Sequence, residues 1–72
     1  MTDGKMLEEK IRQSGLKKGF IAERLGISRA TFRALLNNQA EFKASQIRVL
    51  CDLLDIRDEE TMMAIFFATS VA

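Results

Sequence analysis

Arg29 and Arg33 stand four residues apart, each followed at once by an alanine, Ala30 and Ala34. On a helix that spacing puts both guanidinium groups on one face, a turn apart, with only short side chains beside them. A guanidinium is a rigid fork of donors that matches the O6 and N7 acceptors of guanine, and an alanine can touch a thymine methyl while letting the helix come close. Such a face suits the edges of base pairs in a DNA major groove. The competing reading is a solvated basic face with no partner, which any helix can carry. What separates the two is whether neighbouring residues turn this face outward at the start of a helix.

Other chemistries have little to work with. The 72 residues contain no histidine and one cysteine, Cys51, so an intrachain disulfide cannot form and the usual zinc donors are missing. No nucleophile is paired with a base, and neither an enzyme nor a cofactor is expected. Cys51 lies on an apolar stripe and reads as a small core residue. Asp58, Glu59 and Glu60 read as a helix start rather than a metal site. The absence of Tyr and Trp removes the stacking platform that single-stranded RNA recognition uses. No apolar run approaches the ~20 residues a bilayer requires, and the N-terminus has no signal pattern. The expectation is one cytoplasmic domain over residues 1–72 without a membrane partner.

Net charge is only +1, but its distribution is uneven. Between Lys5 and Lys43 nine Lys or Arg face four Glu, whereas from Ala44 onward two Arg face five Asp or Glu. The chain is therefore polarised, basic where the two arginines lie.

The segments that must position the arginines are legible from spacing. Ile21, Ala22 and Leu25 recur at helical intervals, predicting a helix over 18–25 with one buried face. Gly26 follows, where the helix must stop and the chain bend. Ile27 plugs the corner, and Ser28 is a preferred N-cap for a helix over 29–37. Phe32, Leu35 and Leu36 give that second helix its apolar side, which leaves Arg29, Ala30, Arg33 and Ala34 facing outward. Ala22 is small where the two helices cross. Around this pair the layout predicts a helix over 5–13 with Leu7 and Ile11 inward, ending at Gly15, with Leu16 covering the join. A fourth helix over 45–54 carries Ile47, Leu50, Cys51 and Leu54, with Ser45 as its N-cap. A fifth starts after Asp58 and continues through Met62, Ile65, Phe66 and Phe67. The expected fold is all-α, a compact five-helix bundle around a central helix-turn-helix.

With these residues in place the chain resembles the phage Cro/C1-type helix-turn-helix family and its lambda-repressor-like fold. Ala22, Gly26, Phe32 and Leu35 occupy the motif's small, turn and buried positions, and the flanking helices extend the resemblance over roughly residues 5–68. An ordinary bundle in which these residue types coincide by chance is the alternative, against which several independent positions agree. Three positions depart from the family pattern. Lys18 stands where a bracing glutamine is common, and Asn38 stands where glycine is usual but can hold a left-handed conformation. Gly19 weakens the first turn of its helix by about 1 kcal/mol.

The resemblance implies double-stranded operator DNA as partner, with base contacts from Arg29, Ala30, Arg33 and Ala34. Backbone contacts would come from Lys17, Lys18, Ser28, Thr31, Asn37, Asn38 and Lys43. The apolar residues from Met62 to the end, including Met63, Phe66, Phe67 and Val71, exceed what so small a core can hold, so Met62, Met63, Phe66 and Phe67 are expected to form a protein interface. Two functions follow from that surplus. One is a Cro-like transcriptional repressor of the lysis–lysogeny switch, a homodimer on a palindromic operator. The other is an antirepressor, similar to the modulator-of-repression proteins of temperate lactococcal phages, which binds the phage C1 repressor itself. The length leaves no room for the oligomerisation domain of a full C1 repressor. An antitoxin on the same fold is a third use of the motif.

Overall fold

The computed structural model describes residues 1–69, which form five helices: α1 (Gly4–Ser14), α2 (Lys18–Leu25), α3 (Arg29–Leu36), α4 (Ala44–Leu53) and α5 (Glu59–Phe66). Among the described residues there is no strand, and the all-α five-helix expectation holds. The predicted α2 coincides with the observed one, α3 differs by a residue at one end, and α1 and α4 differ by a residue at both ends. Val71 lies outside the described residues.

The helix ends have local causes. Gly26 takes φ 74° after α2, and there its own N–H donates to Glu23 O while the Ile27 N–H reaches Ala22 O, both at 3.0 Å. That pair of bonds satisfies carbonyls the helix leaves orphaned, and glycine adopts the conformation without a Cβ clash. The same bonding recurs after α3, where Asn38 at φ 61° donates to Leu35 O and Gln39 donates to Ala34 O. Asp55, at φ 57°, turns the chain after α4. Ser28 caps α3 as expected, its Oγ accepting from the Thr31 N–H at 3.0 Å. Asp58 caps α5 in the same way through Thr61 at 2.8 Å.

The start of α4 corrects the sequence reading. Lys43, not Ser45, is the N-cap, and its backbone N–H is met by Oε1 of Gln46 at 2.8 Å. An ammonium has no lone pair to return the bond, so only the Gln46 half of a reciprocal cap is made.

Leu7 and Ile11 from α1, Ile21 and Ala22 from α2, Phe32, Leu35 and Leu36 from α3, Leu50 from α4 and Ile65 and Phe66 from α5 are buried together. Phe42, in the segment between α3 and α4, joins them. Its ring meets Phe32 edge-on at 6.4 Å and Phe66 edge-on at 5.6 Å, an aromatic series that ties α5 to α3. Phe66 is only 3% exposed, so its assignment to a protein interface is overturned. The N-terminal arm, residues 1–3, also meets α5 and the segment after it: the Asp3 N–H donates to Ile65 O and the Ala68 N–H to Met1 O. The arm is closed from the other side by Asn38, whose Nδ2 donates to Thr2 O and whose Oδ1 accepts from the Thr2 N–H, both at 2.8 Å.

Candidate nucleic-acid interface

α3 is eight residues long, and its two sides differ sharply. Phe32, Leu35 and Leu36 face the core, while Arg29, Ala30, Thr31 and Arg33 are exposed. Ala34 is half-buried at the edge of that face, closer to the core than its spacing implied. The helix is held by its buried stripe and by the Ser28 cap, so the outward residues are presented on a rigid support rather than on a loop. Ala22 is 1% exposed beneath this arrangement. A larger side chain there would pry α2 from α3.

Charge on this face is largely unspent. Among the described residues the ion pairs within 4 Å join Arg12 to Glu9, Lys18 to Glu8, and Arg57 to Asp52 and Asp55. Neither Arg29 nor Arg33, nor Lys17 nor Lys43, takes part in one. Lys18 differs from its neighbours because its Nζ lies 2.9 Å from Glu8 on α1. Both side chains of that pair are about half exposed, and an exposed pair contributes little that a phosphate would have to overcome.

An open groove of about 800 Å³ runs along the contact of α2 and α3, from Lys17 and Glu8 past Gly19 to Arg33 and Asn37. A wider depression of about 970 Å³ adjoins it at Glu8 and Asn37 and runs under the N-terminal arm. That second hollow mixes Asp3, Glu8 and Glu9 with Lys5 and Arg12, a balance that does not suit a polyanion. The groove beside α3 carries the cations.

The residues expected to meet the DNA backbone fare differently from one another. Lys17, Thr31, Asn37 and Lys43 are exposed. Ser28 Oγ accepts from the Thr31 amide and donates to Thr31 Oγ1 at 3.0 Å, so its hydroxyl serves the helix start. Asn38 departs most from expectation, since both ends of its amide hold Thr2, and its role is to fasten the N-terminal arm. The sequence offers no warning of that role, because the two residues lie 36 positions apart.

In α5 and at its end, Met63 and Phe67 are 46% and 53% exposed, whereas Met62 packs partly against the core. Of the four apolar residues assigned to a protein interface, these two remain at the surface in full. Cys51 is half-buried, and burial followed by the neighbouring Asp52 pushes its thiol above the usual range, which suppresses the reactive thiolate.

Residues 6–65 match the profile of the Cro/C1-type HTH DNA-binding domain. No curated protein and no solved structure matches the chain.

Proposed function

Because the chain belongs to the family of Cro/C1-type helix-turn-helix DNA-binding domains, we propose that it is a Cro-like phage transcription regulator that acts by occupying operator DNA in the host cytoplasm and catalyses no reaction. One observation carries this reading. α3 turns Arg29, Ala30 and Arg33 outward on a capped, core-anchored helix, and among the described residues no carboxylate neutralises either arginine. Entering the major groove, the two forks take guanine edges and the alanines allow the approach. Lys17, Lys18, Thr31, Asn37 and Lys43 hold the flanking phosphates and set the register without reading sequence. A homodimer would present two such helices to the halves of a palindrome.

Selection from a pool of randomised duplexes tests this. A recovered consensus whose preference relaxes at one base pair in Arg33→Ala supports base reading, with a loss of about 1–3 kcal/mol on the consensus. Recovery of no consensus, or an equal loss on every sequence, contradicts it.

A second reading rests on the exposed pair Met63 and Phe67 and on the Lys18–Glu8 ion pair, which draws charge from the groove. In it the domain is an antirepressor that grips a C1-type repressor and changes that protein's hold on DNA. Light scattering of the protein alone and with the repressor separates the two: a homodimer indifferent to the repressor supports the first reading, and a monomer that forms a defined complex supports the second.

A further inference from the structure

The glycines of this chain serve different ends. Gly15 and Gly26 occupy left-handed turns, and a Cβ on either would meet nothing within 4 Å. Gly19 lies inside the first turn of α2, where the backbone needs no glycine and helix propensity disfavours one. Space explains it. A Cβ on Gly19 would lie 2.5 Å from Nη2, 2.7 Å from Nε and 2.9 Å from Cζ of Arg29, so the Nε–Nη2 edge of the guanidinium occupies the space that a side chain on Gly19 would need.

Among the described residues no carboxylate lies within 4 Å of Arg29, and Glu8, the acidic residue lining the same groove, is paired with Lys18. Lys17 and Lys18 flank the spot, and a helix N-terminus carries partial positive charge, so the surroundings repel a cation rather than bind it. The guanidinium is seated by shape, with its charge left for an acceptor outside the protein. A fork of donors discriminates a base only when its plane is held, because bidentate bonding needs both donors aimed together.

We propose that Gly19 is a specificity-determining positioning residue: its missing side chain is the seat that fixes the Arg29 guanidinium, and through it the base pair that Arg29 reads. The inference rests on the reading of Arg29 as a base contact. It accounts for a residue that costs α2 stability yet stands at the edge of the recognition face.

Gly19→Ala displaces only the end of a flexible side chain, so the fold survives and the melting temperature holds or rises. The experiment measures binding of the wild type, Gly19→Ala, Arg29→Ala and the double variant to duplexes selected by the wild type, to the same duplexes altered at each base pair, and to a scrambled duplex. The expected result for Gly19→Ala is discrimination at one base pair reduced by about tenfold, the same base pair that Arg29→Ala relaxes, with affinity for the scrambled duplex within about twofold. In the Arg29→Ala background, Gly19→Ala then has no further effect on that base pair. Unchanged discrimination in Gly19→Ala, an equal loss on all duplexes, or effects that simply add in the double variant overturns the proposal. If Arg29→Ala itself relaxes no base pair, the reading of Arg29 has failed, and that result is distinct from failure of the seat.

Discussion

The two charged ends of this small domain use their charges in opposite ways. At the acidic end, charge is spent within the protein: Arg57 bridges Asp52 and Asp55, and Asp58 caps α5 through the Thr61 hydroxyl and N–H. At the basic end, Arg29, Arg33, Lys17 and Lys43 stand on or beside the α2–α3 pair outside every ion pair among the described residues. Like charges gathered without counterions repel one another and add nothing to the fold. A cluster kept in that state on a rigid, capped helix is arranged for a partner, whereas Asp52, Asp55 and Asp58 of the acidic stretch are drawn into contacts within the fold.

The apolar side of α5 offers the largest effect that could break this contrast. Phe66→Ala removes a ring that closes the Phe32–Phe42–Phe66 series and is expected to cost about 3–5 kcal/mol in denaturant unfolding, a large share of what a domain of this size holds. Phe67→Ala, one residue on, should leave stability within about 0.5 kcal/mol. Similar losses from both would erase the division between core and surface on α5.

At the basic end, Arg33→Ala should leave the melting temperature unchanged while weakening the selected duplex by about 1–3 kcal/mol, as read by fluorescence anisotropy. The logarithmic salt slope of binding should stay near about −0.9 per phosphate engaged, and neutralising Lys17 should lower its magnitude by about one such unit. Ser28→Ala acts on both properties, because it removes the acceptor that starts α3. A stability loss of about 1 kcal/mol is expected, with a parallel loss of DNA affinity.

The smallest effect is expected from pH. Hydrogen bonds from Thr61 hold the Asp58 carboxyl below its usual range, and the Arg12 hydrogen bond does the same for Glu9. A carboxyl lowered in the folded state stabilises the fold above its unfolded value, and that contribution fades as pH falls through the lowered one. Thermal melts should therefore be flat near neutrality and decline below about pH 4. Asp58→Asn should flatten part of that decline. Arg57→Ala should shift neither stability nor DNA affinity measurably, since its ion pairs are exposed.

Much of this contrast was legible in the residues themselves. The α2–turn–α3 unit is written in strictly local terms: a buried stripe, Gly26 at the corner, Ser28 at the cap and two arginines left over. Local rules are strongest there, and the observed α2 begins and ends where the spacing places it. What escaped depends on distant partners. Phe42 sits between helices, where no periodicity marks it as core, and its burial requires Phe32 and Phe66 to converge on it. Asn38 was legible as a left-handed turn, but not as the clamp of Thr2, a contact made only once the N-terminal arm lies beside the end of α3. Gly19 appeared as a local cost, and its close neighbour Arg29 belongs to another helix. Phe66 was misplaced because apolar excess in a sequence tells how much surface must hide, not which ring hides.

The most direct test of the central claim is an amide chemical-shift titration of the labelled protein with a duplex selected by it. The account predicts that perturbations gather at residues 17–19 and 28–34, with Met63 and Phe67 unmoved. Perturbations centred on Met63 and Phe67, or the absence of any saturable change, would contradict DNA recognition through α3.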